Sequence, residues 1–107
     1  MHFDVARLAP GTAYRLLTST VVPRPIAWIT TAAEDGSVNA APYSFFNAMG
    51  GAPPVVAVGM MRDPARGLKD TAENILATAE FVVNLVPDAL AEAMNLTSID
   101  APRGVDE

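Results

Sequence analysis

Arg62, Arg66 and Lys69 fall between positions 62 and 69 of a chain that carries only seven cations and a formal net charge of -5. Lys69 is the single lysine, and it directly precedes Asp70-Thr71, where a helix-periodic segment begins. A helix N-terminus offers free N–H groups and about half a positive charge. With Lys69, Arg62 and the Thr71 hydroxyl beside it, such an end makes a phosphate receptor that needs no glycine-rich loop. The same residues also read as solvated loop charges balanced by Asp63 and Asp70. Spacing alone leaves both readings open.

The segments upstream are rich in rings and thioethers: Trp28, Tyr43, Phe45, Phe46, Met49, Met60 and Met61. A flat aromatic ligand needs apolar walls of this kind with a few polar groups placed among them. Asn39, Ser44 and Asn47 are the polar groups available. The competing reading is that the apolar side chains fill a core and the polar ones cap turns. No proton-transfer residue stands out in this region, which fits chemistry carried by a cofactor that the protein binds and orients.

The elements that must position these residues are short. Residues 11 to 18 read as a helix with Thr12 as its cap and Ala13, Leu16 and Leu17 on one side. Pro23 and Pro25 force extended geometry, and residues 26 to 33 follow as a strand. Asp35-Gly36 is a hairpin turn from which residues 37 to 41 return antiparallel, ending at Pro42. Residues 44 to 54 read as a connection with room for one helical turn. Residues 55 to 61 form a wholly apolar run that reads as a strand buried on both faces. Residues 70 to 79 make the clearest helix, with capping-box spacing between Asp70 and Glu73 and a stripe of Ala72, Ile75, Leu76 and Ala79. A strand over 81 to 86 and a helix from Pro87-Asp88 to Leu96, with Leu90, Ala93 and Met94 inward, complete the order. The expectation is a single domain over residues 1 to 107, mainly β with flanking helices, in a small barrel or α+β arrangement.

Bulk composition narrows the function classes. Half of the residues are hydrophobic and 18% are charged, which argues for a globular domain against a disordered one. The acidic balance disfavours a broad nucleic-acid or anionic-membrane surface. With no cysteine, thiol catalysis, disulfides and cysteine metal sites are excluded. The lone histidine, His2, sits at the terminus, so no metal site or Ser-His-Asp triad is expected. No apolar run approaches the roughly 20 residues of a membrane helix. The N-terminus lacks a basic region followed by an apolar core, so no signal peptide is expected and the cytoplasm is the expected location. Gly50-Gly51 is not a dinucleotide fingerprint, and no Walker lysine motif occurs.

Four blocks carry a family resemblance: "PRPIAWITT", "DGSVNAAPYSFFN", "PPVVAVGMM" and "KDTAENI". In this order and at these separations the chain resembles the flavin reductase-like, FMN-binding split-barrel family, which includes flavoredoxin-like carriers. The resemblance covers residues 8 to 104. It implies a split β-barrel that binds FMN, or FAD, at a homodimer interface and passes reducing equivalents from NADH or NADPH to flavin. It also implies residue roles. Arg24, Ala27, Trp28, Ile29 and Thr30 would border the isoalloxazine and ribityl chain. Asn39, Ala41, Pro42, Ser44 and Asn47 would surround the ring and ribityl hydroxyls. Arg62, Lys69 and Thr71 would hold the phosphate. Relatives place a small polar residue near the end of the third block, where this chain has Met60 and Met61, so one phosphate or ribityl contact is expected to be missing.

Family members run to roughly twice this length. The sequence therefore reads as the N-terminal half of the domain, with strands still to come that would close the barrel. Three functions remain open at this stage. One is an FMN-binding oxidoreductase of the flavin reductase type. Another is an FMN-binding electron carrier without nicotinamide activity. The third is an inactive half-domain. The expected partners are flavin and nicotinamide small molecules and a second copy of the chain, with neither nucleic acid nor membrane.

Overall fold

A computed structural model describes residues 1 to 99. A 3-10 turn at Val5–Arg7 precedes helix α1, Thr12–Thr20. Strands β1, Ala27–Ala32, and β2, Val38–Tyr43, form the expected hairpin, with Asp35 accepting from the Ser37 amide and hydroxyl across the turn. Strands β3, Phe46–Gly51, and β4, Pro54–Val58, follow. Helix α2, Asp70–Thr78, strand β5, Val82–Asn84, a second 3-10 turn at Asp88–Leu90 and helix α3, Ala91–Leu96, complete the described chain.

Two sheets result. One is three-stranded and antiparallel in the order β2-β1-β5, and the other is the β3-β4 ribbon. Neither closes on itself among the described residues. The core lies on the face of β1 and β2 that carries Ala27, Ile29 and Tyr43, with Phe46, Val58, Met60 and Val83 packed against it.

Several local expectations change. Gly11, not Thr12, occupies the cap of α1, and Thr12 is its first helical residue. Of the side expected to pack, Leu16 is half-buried while Ala13 and Leu17 are exposed. Pro42 does not end β2 but pairs with Trp28 inside it. β2 is an edge strand of its sheet, where proline is tolerated because its missing N–H need not meet a partner. Residues 46 to 51 form a strand instead of a connection. Their ladder with β4 absorbs a register shift between Ala48 and Gly50, so the paired glycines lie within the strand, and the turn falls at residues 52 and 53.

The run at 55 to 61 is not buried on both faces. Its strand stops at Val58, and Val55 and Val56 are each 46% exposed, left uncovered by the described residues. Just beyond, the Gly59 amide donates to the Phe45 carbonyl at 2.6 Å, and a Cβ on Gly59 would stand 2.9 Å from the Phe45 Cβ. Only glycine fits that approach without displacing the Phe45 corner.

Helix α2 begins one position earlier than a capping box requires. Lys69 is its cap, with no side-chain cap hydrogen bond, and Asp70 is the first helical residue. Asp70 and Glu73 still lie in the first turn, where carboxylates complement the helix dipole. The inward face of the helix is mixed. Ala72 and Ile75 of the expected apolar stripe are half-buried, but Thr71 is the most buried residue at 1% exposed, whereas Leu76 is 75% exposed and Ala79 also faces solvent. The physical reason is the sheet beneath it. Asn39 donates to the Thr71 hydroxyl at 2.8 Å, and Asn74 donates to the Thr31 hydroxyl at 3.0 Å, so buried polar groups satisfy one another. β5 is shorter than expected, and in the last helical region only Met94 of the three expected inward residues is half-buried.

Arg24 secures α1. Its Nη1 donates to the carbonyls of Thr18 at 2.8 Å and Val21 at 2.7 Å, and its guanidinium carbon lies 5.7 Å from the Phe45 ring centroid. These bonds satisfy carbonyls at the helix end that have no helical partner. Replacing Arg24 with alanine is expected to lower stability by about 1–2 kcal/mol, the scale of lost charge-assisted bonds on a partly exposed side chain. Urea denaturation of the variant checks this. An unchanged midpoint would show that Arg24 does not secure the helix.

Candidate functional site

A cavity of about 120 Å³ opens between β2, the N-terminus of α2 and residues 97 to 99. It unites five of the residues to which the resemblance gives a cofactor-binding role: Asn39, Ala41, Pro42, Lys69 and Thr71. The edge strand contributes the first three, and the helix start contributes the other two.

The loop before α2 supplies the other polar wall. Asp63 and Gly67 exchange two backbone hydrogen bonds, at 2.8 and 2.9 Å, which close a tight turn. Gly67 sits at φ +86°, a conformation that strains any residue with a Cβ. Inside the turn the Asp63 carboxylate accepts from the amides of Ala65 at 2.7 Å and Arg66 at 2.9 Å. The Arg66 amide bond, then that of Ala65, with the charges of Arg66 and Lys69 behind them, holds the Asp63 carboxyl below its ordinary range. The turn brings Arg66 to the cavity beside Lys69, together with Asp63 and Asp70. Arg62, the arginine expected there, is exposed and does not line it. The Asp63-Pro64 to Gly67 pattern is a turn signature, and it was the signal from which Arg66 could have been found.

The far wall is Thr97, Ser98 and Ile99. It is tied to the sheet by Trp28, whose indole Nε1 donates to the Thr97 hydroxyl at 3.0 Å, and that hydroxyl donates to the Met94 carbonyl at 2.8 Å. Trp28 thus spends its polar atom on the protein. Nothing in the sequence links it to Thr97, 69 positions away.

The remaining expected site residues lie elsewhere. Ala27 and Ile29 have no exposed surface, so the structure places them in the core and not on a ligand-facing wall. Thr30 takes a hydrogen bond from the Asn84 amide at 3.2 Å and lines a separate depression near Phe81. Arg24, Ser44 and Asn47 line a third depression with Phe45 and Phe46, and the Arg24 Nε meets the Ser44 hydroxyl at 3.4 Å. The single binding surface expected from the sequence is therefore divided into separate places in this chain.

Chemically, the cavity at α2 gathers groups of the kind that can receive an anion. It brings the start of a helix, whose dipole favours negative charge, together with a lysine, an arginine and a buried hydroxyl on one small opening. Two carboxylates also line it, one of them, Asp63, already engaged by backbone amides.

The profile of the flavin reductase like domain matches residues 18 to 107. The chain belongs to the flavin reductase-like family. An uncharacterized protein of Deinococcus radiodurans is 53% identical over 111 aligned residues, covering 99% of this chain and 48% of that protein. Component B of nitrilotriacetate monooxygenase from Bacillus cereus superposes with a TM-score of 0.89 at 32% identity, covering 96% of this chain and 50% of that one. The 2-nitrobenzoate 2-nitroreductase NbaA of Pseudomonas fluorescens superposes at 0.82 with 40% identity, covering 94% and 48%. A split-barrel protein of Shewanella frigidimarina, assigned to the flavin reductases, superposes at 0.74 with 25% identity, covering 100% and 52%.

This flavin reductase-like chain spans about half the length of the curated relatives it matches. Its fold is that of a split barrel whose sheets are not closed among the described residues. No helix among the described residues is long and apolar enough to cross a membrane.

Proposed function

We propose that this chain is the FMN-binding part of an oxidoreductase of the flavin reductase type, which takes reducing equivalents from NAD(P)H to flavin. The observation that carries the proposal is the meeting of Lys69, Arg66 and Thr71 at the N-terminus of α2, on a cavity sized for one anionic group. The donor set fits a phosphate monoester. Lys69 and Arg66 supply charge, the first-turn amides of α2 supply directed N–H groups, and Thr71 supplies a hydroxyl. Ala41 and Pro42 on the adjoining edge strand would flank the ribityl chain. Flavin, once bound, supplies the hydride-accepting ring, while these residues anchor and orient it.

The apolar surface left open supports a homodimer. Met49 is 66% exposed on the ribbon, and Val55 and Val56 are each 46% exposed beside it. A second copy, or strands supplied by further chain, would cover them, and the site would be completed at that interface. The proposed location is the cytoplasm, where reduced nicotinamide is available.

Anaerobic NADH and NADPH oxidation by the full-length protein with FMN, FAD and riboflavin tests the proposal. Flavin-dependent oxidation of either nicotinamide is the expected result. Stoichiometric FMN binding without turnover would replace the enzyme with an electron carrier. The absence of both would overturn the proposal.

A further inference from the structure

We infer that Asn39 is a positioning residue: its side-chain amide fixes the Thr71 hydroxyl so that the hydroxyl proton is presented to an anionic phosphate in the α2 cavity. The inference rests on the phosphate reading above. It reassigns Asn39, which the family resemblance would place on the flavin ring or ribityl chain.

The geometry is specific. Thr71 is 1% exposed and lines the cavity. Its hydroxyl oxygen accepts from Asn39 Nδ2 at 2.8 Å, and among the described residues its proton goes to no acceptor. A hydroxyl has one proton and two lone pairs. With one lone pair held by Asn39, the O–H vector loses the freedom to turn toward the sheet. A buried donor without an acceptor is costly, so an acceptor arriving in the cavity gains more there than it would from a rotating surface hydroxyl. Asn39 itself is held in register on β2 opposite Thr31, so the amide is carried by the sheet and not by a loop. The donor thus couples the edge strand to the helix start.

The molecule holds its own control. Asn74 makes the same kind of bond, from Nδ2 to the Thr31 hydroxyl at 3.0 Å, also between α2 and the sheet, but neither residue lines the α2 cavity. A purely structural role for such amide–hydroxyl bonds predicts the same consequences at Asn39 and Asn74. A positioning role predicts a difference only at Asn39.

The test is FMN and riboflavin titration of the full-length protein and its Asn39→Ala, Thr71→Val, double and Asn74→Ala variants. FMN affinity should fall about tenfold in Asn39→Ala, with riboflavin within about twofold, and the double variant should be no weaker than Thr71→Val by more than about twofold. Asn74→Ala should leave the FMN-to-riboflavin ratio unchanged. Thr71→Ser, which keeps the hydroxyl, should retain most of the selectivity. Equal weakening of both flavins in Asn39→Ala, additive losses in the double variant, or the same change in Asn74→Ala would each overturn the inference.

Inorganic phosphate separates this inference from the flavin reading. Should the wild-type protein fail to prefer FMN, phosphate-induced shifts of the Thr71 amide resonance that vanish in Asn39→Ala would uphold the positioning role and remove the flavin. Shifts that persist unchanged in that variant would overturn the role.

Discussion

Ile29→Ala is expected to destabilise the protein by about 2–5 kcal/mol, the range for truncating a large aliphatic side chain in a core that relaxes only partly. The size follows from where Ile29 sits. It lies on β1, the central strand of the three-stranded sheet, between Ala41 of β2 and Val83 of β5. Its side chain is one of the two largest with essentially no exposure, and the rest of the buried apolar set among the described residues is Ala27, Ala40 and Tyr43. A core this small has few neighbours able to move into a cavity, and total stabilities of about 5–15 kcal/mol leave little reserve. Ile29→Val should cost about 0.5–1.5 kcal/mol, and Leu76→Ala, on the 75% exposed outer face of α2, should stay within about 0.5 kcal/mol. Chemical denaturation of the three variants orders them. If Ile29→Ala costs no more than Leu76→Ala, the core is not where β1 places it.

The elements whose signals are local were legible. The β1-β2 hairpin follows from Asp35-Gly36 between two extended segments, and α2 follows from helix-periodic residues after a break. What the sequence misrepresented depends on neighbours distant in the chain. Residues 46 to 51 have little intrinsic preference, and they become a strand because β4 pairs with them. Val55 and Val56 carry the composition of a doubly covered strand, yet the cover does not come from the described residues. On α2, Ala72 and Ile75 are half-buried as periodicity predicts, but Leu76 was read as inward because periodicity ranks Leu above Thr and Asn. The sheet opposite instead presents Thr31 and Asn39, and these choose Thr71 and Asn74.

The candidate site was legible in the same uneven way. Lys69 and Thr71 were found because a helix start can be read from one segment. Arg62 was chosen over Arg66 because sequence distance does not show which way a turn faces, and the Asp63–Gly67 closure decides that. Ala27 and Ile29 were included with their strand as a block. Alternation along β1 buries those two and leaves Trp28 and Thr30 half-buried. The wall at residues 97 to 99 had no local signal at all. A hydrogen bond from Trp28 to Thr97 ties it to the sheet across 69 positions.

Lys69→Ala is expected to weaken FMN binding by about 1–3 kcal/mol, the scale of a charge-assisted hydrogen bond to phosphate, while leaving riboflavin binding nearly unchanged. Lys69 caps α2 through its backbone, at φ -75° and ψ 154°, with no side-chain cap bond, so alanine there does not dismantle the helix start. Arg66→Ala should act in the same direction, because the Asp63 turn brings Arg66 to the same opening. Arg62→Ala should change FMN affinity by less than about 0.5 kcal/mol, since an exposed charge off the cavity contributes little. The FMN-to-riboflavin preference should also shrink as salt rises, because the screening length falls from about 10 Å at 0.1 M to about 3 Å at 1 M. Fluorescence titrations of the three variants at two ionic strengths decide the matter. An equal loss for FMN and riboflavin in Lys69→Ala would remove the phosphate from α2. A larger loss in Arg62→Ala than in Arg66→Ala would mean that the loop adopts a different turn when flavin is bound.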